Sequence, residues 1–150
     1  LSKILTGGLY YEGGNYVVKF EYPSFVGFGH NISLYTTFKP FDQLRNDLEI
    51  NYSELARSRG GEFLYAGYVL SDKITYQFNK NFFLRVLVQY DMFSRAYTFD
   101  PLLSYKWNPY TILFLGASQN VNQITNEAGF SSYVDTDRQI FMKFQYLWSL

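Results

Sequence analysis

The chain predicts an all-β fold, an antiparallel up-and-down transmembrane β-barrel. Three observations carry that reading: a strict period of two, scarce charge, and aromatic residues gathered at segment ends. In the stretch 82–92 the even positions are Phe82, Leu84, Val86, Val88, Tyr90 and Met92, and the odd ones include Arg85, Gln89 and Asp91. The pattern returns with Tyr97, Phe99, Pro101, Leu103, Tyr105 and Trp107 on one face and Thr98, Asp100, Leu102, Ser104 and Lys106 on the other. Successive side chains of a strand point to opposite faces, so each stretch is a strand with one apolar and one charged side.

Composition decides which side meets solvent. In a soluble barrel the polar face looks outward, and about a quarter of the residues are charged. Here 17% are charged and 21% are Phe, Tyr or Trp. In a transmembrane barrel the apolar face looks at lipid, the polar face lines the interior, and aromatics form girdles at both interfaces. Phe78 and Phe82 bracket one turn, Trp107 and Tyr110 bracket the next, and Trp148 stands near the C-terminus. These five are the expected membrane-interface aromatics, and the expected partner is the lipid bilayer of a bacterial outer membrane.

The 150 residues allow a single domain, 1–150. Cysteine is absent, so neither a disulfide framework nor a thiolate metal site is expected. A formal net charge of zero gives no basic footprint for nucleic acid. No stretch approaches the roughly 20 apolar residues of a membrane helix. Leu1 opens the chain without a charged region and apolar run, so an export signal is expected to have been removed or to lie outside this sequence.

In order, residues 3–12 share Leu5, Leu9 and Tyr11 on one face, weakened by Gly7 and Gly8. A turn is expected at Gly13, Gly14 and Asn15, then a strand over 16–22. Residues 25–38 set Val26, Phe28, Ile32, Leu34 and Phe38 against small residues, and 42–54 carry the most polar inner face. A loop follows at 57–62, then a strand over 63–79 that is too long to lie wholly in lipid, with Asp72 expected near the membrane rim. After the hairpin built on 82–92 and 97–107, residues 110–119 form a strand, 120–137 read as a long polar loop, and the last strand runs from Gln139.

That reading counts nine strands. Short connections at 39–41, 79–81 and 108–109 alternate with longer ones at 56–61 and 120–137, as periplasmic turns alternate with external loops. The C-terminus is then periplasmic and the odd count puts Leu1 outside. Two resolutions are open: a closed barrel of eight strands if the first segment is not a membrane strand, or part of a larger barrel completed or capped by other outer-membrane or surface proteins.

The runs Lys73 to Asn79, Phe83 to Asp91 and Leu102 to Pro109 resemble the C-terminal region of outer-membrane proteins of the domain of unknown function 5916 family. Members read a strand ending in Tyr-x-Phe, a Leu-Phe-Leu-Arg-x-x-Val-Gln-Tyr-Asn strand and a Leu-x-Tyr-x-Tyr-x-Pro-Gly hairpin. Asp91 replaces the Asn here, and Asn108, Pro109 and Tyr110 depart from the Pro-Gly form. The resemblance covers roughly residues 40 to 120 and the last strand. It implies an N-terminal carbohydrate-binding-module-like domain ahead of the barrel, so this chain would be the C-terminal portion of a longer protein. The final strand is also similar to the C-terminal signal of outer-membrane barrels, with Leu150 in place of the terminal aromatic.

Candidate lumen-lining residues are Arg45, Asp47, Glu49, Lys73, Arg85, Asp91, Asp100, Lys106 and Lys143, with Lys19 and Glu21 on the same expected face. Their near balance of sign suits a self-neutralised interior, whereas a ring of one sign would select ions or substrates. His30 is the only histidine, and Ser33, three positions on, falls on the opposite face, so a hydrolase site is not supported. No catalytic, cofactor or metal site is expected, and the chain is read as a non-enzyme. The leading expectation is an outer-membrane barrel that anchors, or takes up ligand for, an attached or partner binding module. The alternatives are a soluble small-ligand-binding barrel of fatty-acid-binding type and an outer-membrane lipid-modifying enzyme, the last opposed by the lone His30.

Overall fold

Among the described residues the chain forms eight strands and no helix, most of the strands marked by alternation of apolar and polar residues. They are β1 (Leu5–Val18), β2 (Phe25–Phe41), β3 (Leu44–Ala56), β4 (Phe63–Gln77), β5 (Phe82–Asp91), β6 (Ala96–Asn108), β7 (Thr111–Thr125) and β8 (Ser131–Tyr146). The structure is a computed structural model and describes residues 4–20, 22–125 and 131–148. Each strand pairs antiparallel with the next, giving one sheet in the order β1 to β8. Contacts between strands run only between neighbours in that order, and no hydrogen bonds join β1 to β8 among the described residues. The up-and-down all-β architecture is therefore present as an eight-stranded sheet with open outer edges.

The connection expected at 39–41 shifts to Asp42 and Gln43, because β2 runs on through Phe41 to pair with Leu44, and two further expected elements change. The turn at Gly13, Gly14 and Asn15 does not form: these residues pair with His30, Gly29 and Phe28, and β1 runs through them as one strand. Strand β2 spans 17 residues and offers a continuous template, which outweighs the turn tendency of the glycines. The predicted strands over 3–12 and 16–22 are thus one, and the count is eight rather than nine. The predicted loop over 120–137 is also replaced. Its flanks pair from Asn120 with Asp137 to Thr125 with Ser131, around a register shift between Asn120 and Val121. Residues 126–130 lie outside the described residues. Asn, Asp, Ser and Thr hid this hairpin because they lack the alternation that marks a half-buried strand.

With eight strands, β1 begins and β8 ends at the same end of the sheet, the end that carries the connections β2–β3, β4–β5 and β6–β7. The expectation that the first strand starts on the opposite side from the end of the last does not hold.

Two of the β1 glycines, Gly8 and Gly13, lie under rings. A side chain at Gly8 would overlap the ring of its cross-strand partner Tyr35. The ring occupies that space and shields backbone that glycine would leave bare, as edge glycines require.

Among the described residues the sheet has no second layer. The buried side chains of its apolar core, among these residues, are only Val18, Leu55 and Ala56. A globular chain of this mass would expose about 7,900 Å², and this one exposes 11151 Å². The large apolar face is therefore not covered by the described part of the chain.

Candidate functional site: the polar face and its aromatic-bounded reverse

Register sorts the side chains onto two faces. Following the pairs across the sheet, Arg45, Asp47 and Glu49 of β3 share a face with Lys73 of β4, Arg85 and Asp91 of β5, Asp100 and Lys106 of β6, and Lys143 of β8. All nine expected lumen-lining residues thus lie together. Lys19 falls beyond the end of β1, and Glu21 lies outside the described residues.

Sign on that face follows position along the strands. Arg45, Thr75 and Arg85 stand level in consecutive strands, and Lys73 pairs with Asp47 on one side and Leu87 on the other. Lys106 and Lys143 lie further toward the end where β8 finishes. Glu12, Glu49, Asp91 and Asp137 lie on the far side of the level that holds Asp47, Lys73 and Asp100. The strand cations and strand acids of this face therefore occupy opposite halves.

They meet at Asp47. Its carboxylate accepts hydrogen bonds from Arg45 Nε at 2.9 and 2.8 Å and from the Thr37 hydroxyl at 2.6 Å, with Lys73 Nζ 3.4 Å away. The other acids turn to neutral donors: Asn51 donates to Glu49, Ser118 to Asp100, and Ser94 to Asp91. Balance of number is not met by pairing. Among the described residues of this face, Arg85, Lys106 and Lys143 have no carboxylate within ion-pair distance.

The reverse face is apolar and bounded by two aromatic rows. At the end with the short β4–β5 turn, rings touch in sequence from Tyr76 to Phe78, Phe82, Tyr105 and Trp107, at centroid distances of 4.8, 4.9, 6.4 and 6.4 Å. Trp148 packs on Tyr146 at 6.0 Å at the same end, and the Tyr110 carbonyl accepts from the Leu147 N–H. The five expected interface aromatics accordingly gather at one end of the sheet.

A second row contains none of those five. Tyr68, Tyr90, Tyr97 and Tyr133 form a further chain of ring contacts at 5.8, 4.5 and 5.8 Å, and Tyr52 pairs with Tyr68. The signal was present in the spacing: Tyr68 to Tyr76, Phe82 to Tyr90 and Tyr97 to Tyr105 are each eight residues apart. Eight residues span about 27 Å along a strand, or about 20 Å of depth at the tilt usual for membrane strands.

Asp72 is an acid on the apolar face. It lies midway between Tyr68 and Tyr76 on the apolar face, level with Val88, and accepts a hydrogen bond from Asn46.

His30 sits beyond that row, on the same face. Its Nδ1 is 2.7 Å from the Tyr11 hydroxyl and its Nε2 is 3.9 Å from Glu54, whose other oxygen accepts from Tyr52 at 2.5 Å. Phe28 packs edge-on at 4.9 Å. Ser33 pairs with Asn51 on the opposite face, so no serine nucleophile stands beside this histidine. No cluster of metal-ligating side chains occurs among the described residues. No family model, no curated protein and no solved structure matches the chain.

Proposed function

We propose that the sheet is the wall of a bacterial outer-membrane β-barrel, acting as the membrane anchor or uptake component for an attached or partner binding module. The observation that supports this most is the pair of aromatic rows, eight residues apart, bounding an apolar band directly behind a charged face. A band of that height fits a hydrocarbon layer, the rings suit its two interfaces, and the charged face suits a wet interior. Stretches of β1 to β4 beyond the tyrosine row, including His30 and Glu54, would stand outside the layer.

Bare strand edges in lipid cost several kcal/mol per unsatisfied backbone group. Strands β1 and β8 run antiparallel to one another, so their outer edges suit closure by pairing with each other or with further strands of a larger barrel. Kinship with the domain of unknown function 5916 family would supply such a setting. The test is solubility and gel mobility of the refolded chain. The reading expects folding only with detergent or lipid and faster migration unboiled than boiled. A water-soluble, monomeric fold with unchanged mobility would instead favour the fatty-acid-binding type of barrel.

A further inference from the structure

We propose that Arg45, Lys73 and Arg85 form a binding site for a compact multivalent oxyanion, a diphosphate or a polycarboxylate. The three residues come from three consecutive strands on one face. Neighbouring strands lie about 4.8 Å apart, so the backbones of Arg45 and Arg85 stand about 10 Å apart with Thr75 between them. Long side chains on such a base can converge on one small ligand. A hollow of about 310 Å³ opens beside two of them, lined by Arg45, Lys73, Asp47, Glu49, Ser71 and Leu87, the last on the strand that carries Arg85. A second, of about 490 Å³, opens on the other side of Arg45 and is lined by Lys39, Gln43, Thr75 and Gln77, with Asp42 the acid of the adjoining turn.

Charge leaves the cluster wanting an anion. Among the described residues Asp47 is the one carboxylate within ion-pair distance of it, shared between Arg45 and Lys73, and Glu49 lines the same hollow. Arg45 binds Asp47 through Nε, which leaves the terminal guanidinium nitrogens for a second acceptor. Arg85 has no acidic partner among the described residues. Glu49 and Asp100, the next acids, are held by Asn51 and Ser118. Guanidinium forks match carboxylate and phosphate oxygens alike, and the hydroxyls of Ser71 and Thr75, which flank Lys73 on the same face, supply neutral donors. The inference rests on the polar face alone and holds whether or not lipid covers the reverse.

The experiment titrates pyrophosphate and citrate into the full chain folded in detergent micelles, read by calorimetry. Saturable binding of either anion is expected, with the tighter one identifying the chemistry. Arg85→Gln and Lys73→Gln should each weaken it at least tenfold, and Arg85→Lys should weaken it less than Arg85→Gln. Asp47→Asn, which removes the internal competitor, should tighten it severalfold. Arg138→Gln removes one cation from the opposite face and should leave binding unchanged. Absence of saturable binding, equal loss with Arg138→Gln, or no gain with Asp47→Asn would overturn the proposal. Heat-modifiable folding measured on the same samples keeps that failure separate from failure of the membrane reading.

Discussion

Phe141 of β8 lies over Gly116 of β7, its ring in the space a side chain at Gly116 would take. The pair sits on the polar face, level with Leu102. Gly116→Val should force the ring aside and cost about 1–3 kcal/mol, measured as a lower urea midpoint for unfolding from lipid. Phe141→Ala should cost stability too, because it bares the glycine backbone. Neutral effects from both would show that the covering contact contributes nothing.

This pairing also explains what the sequence could and could not reveal. The period of two in 82–92 and 97–107 made β5 and β6 legible together with the facing of all nine charged candidates, because register preserves parity from strand to strand. The glycine pairs of β1 read as a break and a turn, since the strand that pairs with them, with Tyr35 over Gly8 and His30 beside Gly13, is distant in sequence. The β7–β8 extension escaped notice because its polar residues pair with each other rather than alternate with apolar ones. Charge segregation along the polar face needed the register of seven strand pairs, which no single stretch contains.

Val86 and Leu87 give a direct contrast on neighbouring positions. Val86 faces the apolar band between Ile74 and Pro101, and Leu87 faces the polar side beside Lys73 and Asp100. Val86→Arg should lower stability in bilayers by about 2–4 kcal/mol, while Leu87→Arg should cost less. Equal penalties in a folding titration would contradict the assignment of faces.

Asp72 and Asn46 form a polar notch in the apolar face, joined by a hydrogen bond. Replacing both with leucine should stabilise the sheet in bilayers, by about 1–4 kcal/mol if it follows other buried polar pairs exchanged for apolar ones. A fall in stability on the double replacement would mean that this position meets water or a polar partner instead of lipid.

The β3–β4 connection carries Arg57 and Arg59 at the end opposite the short β4–β5 turn, which carries Lys80. On intact cells, added trypsin should cut at Arg59 and spare Lys80. Cleavage at Lys80 with protection at Arg59 would invert the orientation.

The central claim is that the even positions of β5 face lipid and the odd positions face a wet interior. Spin labels placed singly at positions 84 to 89 in bilayer-reconstituted protein test it most directly, by comparing accessibility to oxygen and to a water-soluble nickel complex. The account predicts a period of two, with labels at 84, 86 and 88 favouring oxygen and those at 85, 87 and 89 favouring the nickel complex. The opposite phase, or even positions shielded from both reagents, would contradict it.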